Sequence, residues 1–394
     1  MTGREVFVVA AARTAIGSFG GSLKDVPLSE LATVALREAL ARSRVEPARV
    51  GHVVMGNVVP TEPRDAYLSR VAAIEAGIPV ETPAFKVNRL CGSGLQAVVS
   101  AAQTLLLGDA HVAIGAGAES MSRGIYVAPA ARWGSRMGDI TLSDYVLGIL
   151  HDPFQKVHMG VMAENVAKHA GITREMQDAL AYESQQRAAR AIAEGRFKTQ
   201  IVPVEIPSRK GTVRFDSDEH VRPDVTPERL AGMKPVFKQG GTVTAGNSSG
   251  LNDGAAAVVL ATQEAVKSLA LTPLARLVSY AHAGVEPALM GLGPVPATRL
   301  ALERAGLATR DLDVVEANEA FAAQACAVTR ALDLDPAKVN PNGSGISLGH
   351  PVGATGAIIA TKAIYELQRV QGRYALVTMC IGGGQGIAAI FERA

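Results

Sequence analysis

The feature that most constrains this chain is that it contains a similar stretch twice. Ala35-Leu36 and Ala301-Leu302 open similar helical segments, and each leads to a short apolar strand, His52-Val53-Val54 and Asp313-Val314-Val315. Asn57 and Asn318 follow those strands at the same offset. Later, Cys91 and His350 each open a glycine-rich turn, then an Ala-rich helix, then a strand, at Val112 and Ala375. Asp313 lies 261 residues beyond His52, and His350 lies 259 beyond Cys91. Offsets this similar predict two homologous α/β halves.

The strands read as uninterrupted Val/Ile/Ala runs: Val6–Ala12, His52–Met55, His111–Gly115, Ala255–Leu260, Val314–Glu316 and Tyr374–Met379. Such runs suit parallel strands buried on both faces. Helical periodicity lies between them, at Leu31–Ala41, at Ala297–Ala305, and at Leu95, Val98, Val99, Ala102, Leu105 and Leu106. Strands alternating with helices predict an α/β fold. Aromatic residues are only 4% while glycine reaches 40 residues, so close helix packing is expected.

One stretch, about Ser120–Ser248, breaks the rhythm. It is polar and rich in proline, and it is too long for a plain loop. Within it Thr173–Glu194 reads as one helix capped by Thr173, with Met176 at its third position. The predicted division is an N-terminal half at 1–120 and 249–271, a covering loop domain at 121–248, and a C-terminal half at 272–394.

Charge excludes some functions. Lys plus Arg number 39 and Asp plus Glu 37, a balance that argues against a dedicated nucleic-acid binder. No run of 18 residues is free of charges or glycines, which argues against a membrane span. The apolar stretch Phe7–Ala12 is too short for a secretory leader, so a cytoplasmic protein is expected. Three cysteines without a CxxC spacing exclude a disulfide scaffold and a zinc ribbon, and the histidines show no metal spacing. No metal site is expected.

Four segments carry reactive groups. Cys91, in Asn88-Arg89-Leu90-Cys91-Gly92-Ser93-Gly94-Leu95, precedes a helix whose positive end favours a thiolate. A small buried hydrophobe fits the same local sequence. His350, in Gly349-His350-Pro351-Val352-Gly353-Ala354-Thr355-Gly356, sits beside another helix start if Pro351 takes the first helical position. That placement keeps an imidazole neutral and usable as a base, although a turn histidine with only structural contacts is the usual occupant of such a site. Cys380, in Met379-Cys380-Ile381-Gly382-Gly383-Gly384-Gln385-Gly386, follows a strand, and its glycines either free backbone N–H groups for an oxyanion or make a hairpin turn. Asn318, in Asn318-Glu319-Ala320-Phe321-Ala322, either donates an amide hydrogen bond in the same cleft or caps a helix. Cys326 lies on an apolar helix face and reads as core.

Together these segments resemble the thiolases along the whole chain. The matching stretches are Asn88–Leu95, His158-Met159-Gly160, Gly241–Gly254, Met290–Pro296, Glu316–Ala322, Asn342–Gly356 and Cys380–Gly386. The match is nearest to bacterial β-ketothiolases of the acetyl-CoA acetyltransferase type, including those that feed polyhydroxyalkanoate synthesis. The resemblance implies a five-layer αβαβα arrangement of two α/β halves plus a loop domain, and a homotetramer built as a dimer of dimers. It implies an acyltransferase of acyl-chain and fatty acid metabolism. Its substrates would be coenzyme A and acyl-CoA, with no covalently bound cofactor. Cys91 would take the acyl group with His350 as its base, and Cys380 would abstract the α-proton of a second acetyl-CoA. Asn318 with His350 would form one oxyanion hole, and the N–H groups of Cys91 and Gly382 the other. Coenzyme A would meet Leu150, His158, Arg222, Ala245, Ser249, Met290, Ala320 and Phe321.

Two other functions stay in view. Decarboxylating ketoacyl synthases use a cysteine with two histidines, whereas Cys380 stands at the second position here. A non-catalytic acyl-CoA or lipid-binding relative would lack one or more of the four reactive residues. Acyl chain length is not set by these motifs, and a longer-chain 3-ketoacyl-CoA thiolase fits them equally.

Overall fold

The computed structural model describes residues 4–209 and 211–394. Its nine main strands lie in the order 314–317, 374–381, 385–393, 275–284, 6–14, 252–262, 112–120, 52–56 and 84–87. The repeat read from sequence is visible in this order. Strands 275–284, 385–393, 374–381 and 314–317 retrace 6–14, 252–262, 112–120 and 52–56. The two sheets meet only where Phe7 and Val8 pair with Arg276 and Ala275.

Helices complete five layers. Leu28–Ser43 covers the outer face of the first sheet, where Leu31, Ala35 and Leu36 pack on Val9, Val53, Ile114 and Val259. Ser93–Leu107 and Thr355–Val370 lie between the sheets. Leu95, Val98, Ala102, Ile359, Ala363 and Leu367 share one core there with Val54, Val258, Val377 and Phe391. Pro294–Ala305 covers the outer face of the second sheet through Val295, Ala301 and Leu302. The stretch Leu90–Leu107 is apolar enough by composition to span a bilayer, but burial in the middle layer accounts for that apolarity.

The apolar runs need one correction. Val112–Ser120 and Asn252–Thr262 are buried along their whole length, yet they pair antiparallel, as do 6–14 with 252–262 and 374–381 with 385–393. Among the described strand pairs, only 52–56 with its two neighbours, 314–317 with 374–381, and the short 201–202 beside 13–14 run parallel. Cover on both faces, not strand direction, removes the polar alternation.

The two central helices approach through glycine. A side chain on Gly94 would strike the backbone of Ala354 and Ala357, and one on Gly356 would strike the backbone of Leu95. The helix starts therefore touch with no side chain between them, and the turns preceding them face one another.

An excursion lies between the strands Val112–Ser120 and Asn252–Thr262. It holds the helices Met159–Ala170 and Arg174–Ala193 and a hairpin of Val204–Ser208 with Gly211–Phe215. Thr173 Oγ1 accepts the Met176 N–H at 3.3 Å, the expected cap. Arg13 anchors the excursion to the first sheet. Its fully buried guanidinium holds Asp218 through two bonds of 2.8 and 2.9 Å, donates to Gln200 and lies over Phe197. Removing one member of a buried pair leaves the other charge unpaired, so Asp218→Ala should lower unfolding free energy by about 3–5 kcal/mol. Urea unfolding would read this, and a loss below about 1 kcal/mol would contradict it.

Candidate active site

Cys91 occupies the turn between the strand Ala84–Val87 and the helix Ser93–Leu107. Leu90 has a left-handed backbone, φ 47°, which reverses the chain just before the thiol. Ser93 holds that turn, accepting from the Arg89 N–H at 2.8 Å and donating to the Leu90 carbonyl at 2.6 Å. Cys380 ends the strand Tyr374–Ile381, and Gly382–Gly384 then form the hairpin into Gln385–Arg393. The run makes the hairpin turn, and the Gly382 N–H also points at the Cys91 sulfur.

His350 is not at a helix start. The helix begins at Thr355, and one turn closed by the Ala354 and Thr355 N–H groups on the Pro351 carbonyl comes first. Pro351 is therefore outside the helix. The ring is held at both nitrogens and the backbone beside it at one point. Nδ1 meets Thr355 Oγ1 at 2.7 Å, Nε2 meets Asn318 Nδ2 at 3.4 Å, and the His350 backbone N–H donates to Asn252 Oδ1 at 2.8 Å. The Thr355 hydroxyl gives its hydrogen to the Pro351 carbonyl at 2.9 Å, so it accepts from His350. This network assigns the proton to Nδ1 and leaves Nε2 an unprotonated acceptor, taken only by the long 3.4 Å contact from the Asn318 amide. Asn318 does not cap a helix, since Phe321 is the residue before Ala322–Ala331.

Burial sets the protonation of the group. It pushes His350 down to about 4, so the ring is neutral near pH 7. It pushes Cys91 up to about 11, against the smaller pull of the Gly382 and Cys91 N–H groups. The helix end was expected to favour the thiolate, and desolvation outweighs it. The gap between a thiol near 11 and an imidazolium near 4 is on the order of 10 kcal/mol. A close ion pair recovers only about 4 kcal/mol at an effective dielectric of 20. The resting pair is thus neutral thiol and neutral imidazole. Cys380 is raised further, by burial and by the neighbouring Cys91.

Two cavities meet at this group. The inner one, about 60 Å³, is lined by Cys91, Cys380, Gly382, Met159, Met290 and Ala320. The outer one, about 530 Å³, is lined by His158, Ala245, Phe237 and Val236, among others. Leu150, Ser249, Phe321, His350 and Val352 border both. His158 stacks on Phe237 at 4.6 Å, and Phe237 meets Phe321 edge-on. Ser249 donates to the Ala320 carbonyl at 3.0 Å, which laces the excursion to the Asn318 loop.

Arg222 stands apart from the rest. It is exposed, it lines neither cavity, and its guanidinium turns back to the carbonyls of Glu219 and Val221. Cys326 is half-buried, not core, and donates to the Met176 carbonyl at a separate groove. Thr355, Asn252 and Phe237 were missed, because their roles come from contacts between distant segments. Thr355 alone had a local signal, five residues after His350.

Residues 6–264 match the family described as thiolase, N-terminal domain, and residues 271–393 match thiolase, C-terminal domain. The chain belongs to the thiolase family. This thiolase is 68% identical over 391 residues to the β-ketothiolase BktB of Cupriavidus necator, with 99% of each chain covered. It is 49% identical to an acetyl-CoA acetyltransferase of the same organism, again over 99% of each. The crystal structure of human mitochondrial 3-ketoacyl-CoA thiolase matches with a TM-score of 0.98 at 46% identity, over 100% of both chains. A structure of that human enzyme in complex with CoA matches with a TM-score of 0.96 at 46% identity, over 99% of this chain and 98% of the other.

The protein is therefore an acyltransferase. His350 titrates near 4, so its base form is fully present above that value and is lost only below it. Acyl transfer to Cys91 should stay flat between about pH 5 and pH 7, as measured by rapid quench. An acid limb with a midpoint near 6.5, the ordinary histidine value, would contradict this.

Proposed function

We propose that this thiolase joins two acetyl-CoA molecules into acetoacetyl-CoA and CoA, and in reverse cleaves 3-ketoacyl-CoA with CoA, through an acyl-Cys91 intermediate. The observation that carries this reading is the convergence of Cys91, Cys380, His350 and the Gly382 N–H on the inner end of one cavity.

His350 Nε2 takes the Cys91 proton as the sulfur attacks the thioester carbonyl. The tetrahedral oxyanion is held by the Cys91 and Gly382 N–H groups. Collapse expels CoA, which takes the proton back from the imidazolium. A second acetyl-CoA then loses an α-proton to Cys380. That proton is weakly acidic, and a thiolate whose pKa is raised by burial is a correspondingly strong base. The Cys380 thiol becomes that thiolate by giving its own proton to the neutral His350 Nε2, and the α-proton then takes its place on the sulfur. The Asn318 amide and the Nε2–H of the His350 imidazolium so formed stabilise the enolate, which attacks the acyl carbonyl; the Cys91 sulfur leaves as a thiolate and takes the imidazolium proton. Splitting the reaction at a covalent intermediate gives ping-pong kinetics.

The outer cavity supports a binding route for the long pantetheine arm past Leu150, His158, Ala245, Ser249 and Phe321, with Met290 and Ala320 at its end. Arg222 would serve the coenzyme phosphates only after its side chain turns from its present partners. The inner cavity suits a short acyl group. Met159 and Met290 wall it with flexible side chains, which gives longer chains a way in by rotamer change.

A homotetramer is supported by the segment Tyr126–Leu142, where Trp133 and Met137 are each 91% exposed, beside exposed Tyr126, Ile140 and Leu142. Three free cysteines fit a reducing, cytoplasmic setting. The division into halves at 1–120 with 249–271 and at 272–394, around a loop domain at 121–248, follows the two sheets. A role in polyhydroxyalkanoate or fatty acid metabolism accords with the reaction.

Cys380→Ser separates the two half-reactions. It should acylate Cys91 from acetyl-CoA at close to the wild-type rate while condensation falls by at least about 10²-fold. Condensation at the wild-type rate would move the base to another residue.

A further inference from the structure

The duplication assigns a counterpart to every reactive residue, and one counterpart has no role so far. Val53 pairs with Ile114 in the first sheet, and Val314 with Ala375 in the second, each 261 residues on. The same register carries Asn57 onto Asn318 and Glu119 onto Cys380. The first half thus places a carboxylate where the second half places its thiol base.

Glu119 lines neither cavity, so it does not touch the reacting atoms. It is fully buried and accepts four bonds. Oε1 takes Asn57 Nδ2 at 2.8 Å and the Val59 N–H at 2.9 Å. Oε2 takes the Val58 N–H at 3.1 Å and the Gly353 N–H at 2.7 Å. Three donors belong to the strand-end turn of the first half. The fourth belongs to the loop of the second half, three residues after His350. Gly353 fits there only because it has no side chain, since a Cβ would lie 2.6 Å from Oε2 and 2.9 Å from Asn57 Cα. Burial pushes the carboxyl up and the N–H groups and the charge of Lys86 pull it back, and two N–H donors on each oxygen are contacts that the carboxylate form satisfies. Its charge is felt at Cys91.

We propose that Glu119 is a positioning residue for acyl transfer, its carboxylate fastening the His350 loop to the strand end behind Cys91. An amide at this position cannot replace it. One face of a glutamine side chain is an N–H donor, which would confront either Gly353 and Val58 or Asn57 and Val59. The loop would lose its fastening, and His350 its alignment with the thiol. The inference rests on His350 acting as the base for Cys91.

The test compares Glu119→Gln, His350→Asn and the double variant in steady-state thiolysis and in single-turnover acetylation of Cys91. A misplacement of about 1 Å costs on the order of 10²-fold, so Glu119→Gln should lower kcat and the acetylation rate together by about 10- to 100-fold. KM for CoA should stay within about twofold, since no cavity residue changes. In the His350→Asn background, Glu119→Gln should change residual acetylation by less than about twofold, because the positioned group is already gone. Full multiplication of the two effects, or a raised KM at unchanged kcat, would overturn the role. A His350→Asn variant that acetylates at the wild-type rate would overturn the reading of the base instead. Gly353→Ala keeps the carboxylate and displaces the loop. It should reproduce the kcat loss at constant KM if Glu119→Gln does not fold, and wild-type kcat in Gly353→Ala would count against the proposal.

Discussion

The contact of two helix starts through Gly94 and Gly356 is the constraint on which the site depends. Each half of the chain enters its central helix from a turn that carries a reactive residue. Because those helices touch backbone to backbone, the turn with Cys91 and the loop with His350 open onto the same small space. Any side chain at either glycine would wedge the halves apart. The rest of the molecule serves this contact. The sheets cover the helices from both sides, the outer helices cover the sheets, and the excursion roofs the space, laced down at Ser249 and Ala320.

Burial then decides the chemistry. An exposed cysteine at a helix start would ionise easily. Enclosed between two sheets, Cys91 keeps its proton and His350 refuses one. The result is a nucleophile that is inert until a carbonyl is present and a base that is always ready. Cys380 benefits from the same enclosure, since a thiol that is hard to ionise becomes a strong base once ionised. The N–H groups of Cys91 and Gly382 supply fixed dipoles in a medium that screens them weakly.

Much of this was legible in the sequence because the duplication constrains it. Matching offsets at Asn57 and Asn318, and at Cys91 and His350, reflect a shared strand register, which the paired strands bear out. The apolar runs located the strands but not their directions, because burial on both faces erases the alternation that distinguishes them. Pro351 suggested a helix start four residues too early, since a capped turn and a first helical turn share the same local preference. Thr355 and Asn252 were invisible for a different reason. One orients His350 across a turn, the other from a strand in the opposite half, and neither contact has a local signature. Glu119 was within reach of the duplication argument, which was applied to the turns but not to the strand ends.

The central claim is that Cys91 carries the acyl group, and it has a direct test. Brief mixing with acetyl-CoA followed by intact-protein mass measurement should show one acetyl adduct on the wild-type chain and none on Cys91→Ala. An adduct of equal yield on Cys91→Ala, or none on the wild type while acetyl-CoA demonstrably binds, would contradict the account.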